Sequence, residues 1–148
     1  MSSTVAVPAR LVGHSLRTPV AWGAVFGVLQ VASPLAFPWL DARTVYALGI
    51  PLIAAVYIGF AVADGRRHVM AVEATVVAAF VVVAAAAVTG TAWLVVAGLA
   101  GHGVKDVWQH RTQFVAGTRW WPPFCAAVDF VAAALIGLAI TTGFPFAF

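Results

Sequence analysis

The sequence predicts an all-α integral membrane protein, a bundle of about five transmembrane helices with a cytoplasmic N-terminus and an exoplasmic C-terminus. Three observations predict it. The 148 residues are 63% hydrophobic with a mean hydropathy of +0.99, whereas a water-soluble globule is nearer half apolar. The apolar residues gather in runs of about 20, the length that crosses a bilayer. Charged residues make up only 9% of the chain and mostly stand at the ends of those runs, where topology signals belong.

In chain order, residues 1–19 form a cytoplasmic N-terminal segment with Arg10, His14 and Arg17. It lacks the sustained apolar stretch and small-residue cleavage site of a removable signal peptide. A single transmembrane domain then occupies 20–148. Its first span covers 20–40, with Pro34 and Pro38 kinking or fraying the far end. Asp41, Arg43 and Thr44 make a polar turn before the second span, 45–63, which contains Gly49, Pro51 and Gly59. The basic turn Asp64-Gly65-Arg66-Arg67-His68 leads to the third span, 69–88, rich in Ala and Val and carrying one charge, Glu73. Small residues there favour close helix packing. Thr89-Gly90-Thr91 turns the chain into the fourth span, 92–111, and a polar loop ends at Trp120-Trp121-Pro122-Pro123. Those prolines suit a first helical turn and those tryptophans an interface. The fifth span, 123–141, contains Asp129, and an apolar tail follows.

Basic residues choose the orientation. Arg10, Arg17, Arg66, Arg67, Lys105, Arg111 and Arg119 fall on one side of a five-span bundle and only Arg43 on the other, so the first side is cytoplasmic. Reporter fusions at both termini would check this, and a cytoplasmic C-terminus would contradict five spans. The expected location is the cell membrane, as a multi-pass protein. A pI near 9.8 does not indicate nucleic acid, because the basic residues are scattered at segment ends. One cysteine, Cys125, excludes an internal disulfide and any thiolate metal cluster within one chain. No internal repeat points to an inverted-repeat transporter.

The chemistry-bearing residues converge in the cytoplasmic half. At about 1.5 Å per residue, Glu73 lies roughly 6 Å inside the third span, Asp106 roughly 7 Å and His102 roughly 13 Å from the end of the fourth, and Asp129 roughly 10 Å past Pro122. Reflection through Thr89-Gly90 sets Glu73 level with Asp106 and predicts a cross-hairpin pair. Ionisable groups at such depth are costly, point inward and find partners. Several carboxylates together need cations, and His102, His110, Lys105, Arg111 or a bound metal could supply them. His102, Asp106 and His110 follow one another at single-turn spacing, but His102 and His110 lie about 12 Å apart along the axis. A single ion would therefore need Glu73 or Asp129 from another helix to complete its shell, and the set preferred is His102, Asp106 and Glu73, suited to zinc, iron or manganese.

The pattern Glu73, then Gly101-His102-x-x-x-Asp106-x-x-x-His110-Arg111, then Trp121-Pro122-Pro123-Phe124-Cys125 and Asp129, resembles a group of small multi-pass bacterial membrane proteins. The resemblance covers roughly residues 70–135 and implies that these positions belong to one site, without supplying a reaction. In that group two adjacent histidines precede the arginine, where this chain has Gln109-His110. Four histidines are too few for a diiron hydroxylase.

The favoured function is a membrane-embedded enzyme in which Glu73, His102, Asp106 and Asp129 do acid-base chemistry, with or without a divalent metal, on a lipophilic small molecule. Hydrolysis, isomerisation and cyclisation are the candidate reactions. His110, Arg111 and Trp108 are expected to line the mouth of the site and bind substrate. Beyond that substrate, the expected partners are the lipid bilayer and, as an option, a second copy in a homo-oligomer. Two other classes compete: a small proton-coupled transporter, and a non-catalytic subunit of a membrane complex. The plainest alternative is a polar plug whose members only satisfy one another.

Overall fold

The computed structural model describes residues 16–143. Most of the expected cytoplasmic segment, with Arg10 and His14, and the end of the apolar tail lie outside the described residues. Those described form five α-helices and no strand: α1 (Arg17–Val31), α2 (Ala42–Asp64), α3 (Arg67–Thr89), α4 (Trp93–Thr112) and α5 (Trp121–Thr142). Three of them, α2, α3 and α5, are long and apolar enough to cross a membrane.

Local chemistry sets the ends. The first helix stops at Val31 and does not run to residue 40, because Pro34 opens a short 3-10 turn, Ser33–Ala36, and has no N–H to continue the α-helical ladder. Tyr46 of α2 donates its hydroxyl to the freed Val31 carbonyl at 2.7 Å, satisfying a helix-end acceptor. Asp41 caps α2 by accepting the Thr44 N–H at 2.9 Å, and bonds from the Thr44 side chain and backbone hold its carboxyl below the usual range. Gly65 ends α2 at a φ of 76°, a left-handed conformation that costs glycine little. The fifth helix starts at Trp121, ahead of both prolines, since their missing N–H groups would lie unpaired in a first turn anyway.

The helices alternate in direction. Contacts across the two ends hold the turns together: Arg43 donates to the Gly90 carbonyl at 2.9 Å at one end, and Arg66 to the Phe114 carbonyl at 2.6 Å at the other. Near Arg66, Asp64 accepts the Ala116 N–H at 2.7 Å. The first helix lies parallel to α5 and packs tightly along it, α5 packs on α4, and α2 and α3 close the far side. Toward the Gly90 end the interior is apolar, built from Ile50, Ala84, Val95, Leu99, Ala132 and Ile136 among others. Toward the Asp64 end a smaller cluster holds Tyr57, Ala61, Val69 and Val115. Large side chains such as Trp22, Leu52, Val82 and Leu138 cover the outside, as suits a surface facing lipid.

Glycine makes the α1–α5 contact. A Cβ on Gly27 would lie 2.8 Å from both the Val128 carbonyl oxygen and the Val131 Cβ, and Gly23 meets α5 one turn earlier in the same way. This is the close approach that small residues four apart permit between membrane helices. Gly27→Val is therefore expected to destabilise the protein by about 1–3 kcal/mol through overpacking, read as a lower thermal midpoint in one detergent. Gly59→Val serves as the control, because nothing lies within 4 Å of the added Cβ there.

Candidate functional site

The polar layer sits between the two apolar clusters and is built by four helices. The fourth helix supplies most of it. His102 and Asp106, one turn apart, both face inward and are fully buried. The imidazole Nδ1 lies 2.7 Å from Asp129 Oδ2 on α5 and 3.3 Å from Asp106 Oδ2. His102, Asp106 and Asp129 each offer a ligand atom within 4.8 Å of the other two. The close approach of α4 and α5 that this needs comes from Gly103, where an added Cβ would lie 3.0 Å from the Phe130 ring.

Glu73 does not join this group. Its Oε2 accepts from Lys105 Nζ at 2.7 Å, so the expected Glu73–Asp106 pair is replaced by a pair with the preceding residue. The depth deduced by reflection is right to one position, but successive helical residues point about 100° apart. Lys105 therefore faces α3 and α2 while Asp106 faces α5, which gives the buried carboxylate a cation in place of a second anion. Of the two carboxylates that the sequence offers to complete a metal set, Asp129 and not Glu73 lies beside His102 and Asp106. Lys105 is not a snorkelling anchor: only 12% of its side chain is exposed, and its ammonium stands 3.2 Å from the centre of the Tyr57 ring, a cation-π geometry.

Tyr57 of α2 was not among the residues expected from the sequence. Its ring centre is 6.2 Å from that of His102, and its buried hydroxyl faces Asp106 without closing a hydrogen bond. The signal was available, since both tyrosines of the chain fall in one apolar helix and a buried phenol seeks a polar partner. Phe80 of α3 covers the imidazole edge-on at 5.2 Å.

The three residues expected at the mouth are spread out. Trp108 and Arg111 are exposed, and Trp108 packs on Phe114 with ring centres 5.3 Å apart. His110 is half-buried, with its Nδ1 buried and unbonded. Gln109, which stands where the resembled group has a histidine, is fully buried and donates to the Val115 carbonyl and the Thr118 hydroxyl, both at 3.3 Å. It therefore clamps the α4–α5 loop. Cys125 is buried and free, one turn before Asp129 on α5. Outside the span ends, Asp64 beside Arg66 raises the guanidinium above its ordinary range and fixes the turn between α2 and α3.

Unsatisfied atoms give the layer its chemical character. Glu73 Oε1, both Asp106 carboxylate oxygens, Asp129 Oδ1, His102 Nε2 and the Tyr57 hydroxyl are buried without a hydrogen bond. Buried polar groups ordinarily find partners, and six of the buried unbonded atoms among the described residues gather in this layer. No family model, curated protein or solved structure matches the chain.

Proposed function

We propose that the chain is a five-span enzyme of the cell membrane, with a cytoplasmic N-terminus, that carries out acid-base chemistry on a lipophilic small molecule at the layer formed by Glu73, His102, Asp106 and Asp129. The observation that carries the reading is the convergence of unbonded, fully buried carboxylate, imidazole and phenol atoms from four helices. In the neutral imidazole with Nδ1 protonated, Asp129 accepts that proton's hydrogen bond and Nε2 is free to take a proton from substrate. Glu73 and Lys105 form a second polar pair beside the first, with Tyr57 between them and Asp106. The two helices that are not apolar enough or long enough to cross on their own, α4 and α1, fit the same picture. The fourth helix turns His102, Asp106 and Gln109 inward, and α1 lies flat along α5.

Access favours a substrate that arrives through lipid. Of the groups in the layer, Lys105 alone reaches the surface, so a polar head would meet its ammonium first while an apolar body stays among the helices. The apolar filling toward the Gly90 end offers no stepping stones for a proton or ion and supports an enzyme over a transporter.

The test is conversion of a membrane-lipid extract by the purified protein in nanodiscs, followed by mass spectrometry. The wild type is expected to deplete at least one lipophilic species and to generate a product. Asp129→Asn and His102→Gln should slow that conversion by about 10²-fold or more, the typical contribution of a positioned acid or base. Indistinguishable spectra for wild type and both variants would overturn the reading.

A further inference from the structure

We propose that His102, Asp106 and Asp129 bind one divalent first-row transition ion, of the zinc, manganese or iron(II) class. The inference rests on the enzyme reading and refines it by naming a cofactor for the same site. Three observations carry it. The first is geometric. Around an ion held tetrahedrally at about 2.0–2.2 Å, neighbouring ligand atoms stand roughly 3.3 Å apart. The Nδ1–Oδ2 separations here are 3.3 Å to Asp106 and 2.7 Å to Asp129, and all three ligand atoms fall within 4.8 Å. Small side-chain adjustments bring them to one centre.

The second observation is the state of Asp106. It is fully buried, and neither of its oxygens has a hydrogen-bond partner, although one lies 3.3 Å from the imidazole. A carboxylate placed so is expensive in an apolar bundle, and a metal bond would satisfy it more fully than the Tyr57 hydroxyl that faces it without closing a hydrogen bond. The third is the lack of a lysine or arginine partner: among the described residues no ion pair joins Asp106 or Asp129 to either, because Lys105 is held by Glu73 and only His102 stands beside them.

The donor set narrows the ion. One imidazole nitrogen with two carboxylates suits zinc, manganese or iron(II), whereas calcium takes six to eight oxygens and copper(I) prefers sulfur. The ligands come from α4 and α5 only, so the open side of the ion faces α2, where the Tyr57 hydroxyl stands opposite Asp106. With the ion bound, His102 becomes a ligand, and the acid-base role passes to the Glu73–Lys105 pair and Tyr57. The ion itself would supply a polarising centre for a substrate oxygen. Glu73 is outside this set because Lys105 occupies it, and that separates the proposal from a general cluster of acids.

The experiment is metal analysis of the full chain, purified in detergent from cells grown with added zinc and manganese, together with the visible spectrum after loading cobalt(II) in place of the native ion. The wild type is expected to hold close to one ion per chain and to give a cobalt spectrum of nitrogen-oxygen ligation at low coordination number. Asp129→Asn and His102→Gln should weaken retention by about 100-fold or more, the upper end of what even indirect damage to a metal site does. Glu73→Gln/Lys105→Met, which removes the neighbouring pair without leaving either charge alone, should retain the ion. Should the ligand variants not fold, the wild-type cobalt spectrum decides by itself. A wild type that neither carries metal nor takes up cobalt overturns the proposal, as does equal loss of metal from Glu73→Gln/Lys105→Met and Asp129→Asn. Lipid conversion that persists in a metal-free wild type would remove the metal and leave the enzyme reading standing, whereas stoichiometric metal without conversion would do the reverse.

Discussion

Lys105→Met is expected to destabilise the protein by about 3–5 kcal/mol, the cost of removing one partner from a buried ion pair. Glu73 is 0% exposed, and Lys105 is the partner of its Oε2 while Oε1 has none. Methionine keeps the length and much of the apolar stem of lysine, so packing changes little and the loss is electrostatic. The replacement also takes the ammonium from the face of Tyr57, which adds up to about 2 kcal/mol where the cation is desolvated.

A second replacement isolates the cause. In Glu73→Gln/Lys105→Met no charge remains to be compensated, and most of the lost stability is expected to return. The measurement is unfolding in one detergent for the wild type, both single variants and the double variant. If Lys105→Met unfolds with the wild type, the pair is hydrated and the depth assigned to Glu73 is wrong. If the double variant is as unstable as Lys105→Met, the loss comes from packing and the charge account fails.

How much of this was legible in the sequence differs from element to element. The runs of apolar residues and the turns between them were legible because length, proline and glycine act locally. Depth was legible to within one residue: the α3–α4 hairpin has a short turn, and counting residues back from it set Glu73 level with Asp106, next to its observed partner Lys105. Rotation about the helix axis was not. One residue of phase decides whether Glu73 meets Lys105 or Asp106, and that phase is fixed by packing against α2 and α5, which no count along α4 contains.

The first helix shows the same division. Pro34 announced trouble near the end of its span, but where the helix would stop depended on Tyr46 reaching back to the Val31 carbonyl. Gly23 and Gly27 stood four apart in plain view. Their meaning required knowing that α5, a hundred residues later in the chain, lies parallel against them. Tyr57 carried a signal, a phenol in an apolar run, but which group its hydroxyl would face depended on packing that the run does not contain. Gln109 stood out in the sequence only as a departure from a histidine pair, and in the fold it clamps the α4–α5 loop.

The second large effect concerns what the buried layer is for. A polar plug exists to hold the bundle together, so removing it should cost stability. A functional site is held against stability, because its unbonded atoms await a ligand. Replacing a buried ionic group by apolar residues of similar volume is often neutral or stabilising by about 1–4 kcal/mol. The triple variant His102→Leu/Asp106→Val/Asp129→Val removes the three polar groups together, so none of them is left behind without the others. The Glu73–Lys105 pair is untouched and continues to satisfy itself.

The deciding measurement is therefore the unfolding free energy of that triple variant against the wild type, both in the same detergent with a chelator present so that no bound ion contributes. The site account predicts a variant at least as stable as the wild type, with its lipid conversion gone. A variant less stable by about 3 kcal/mol or more, the size expected when a buried ionic network is structural, would contradict it and make the layer a plug.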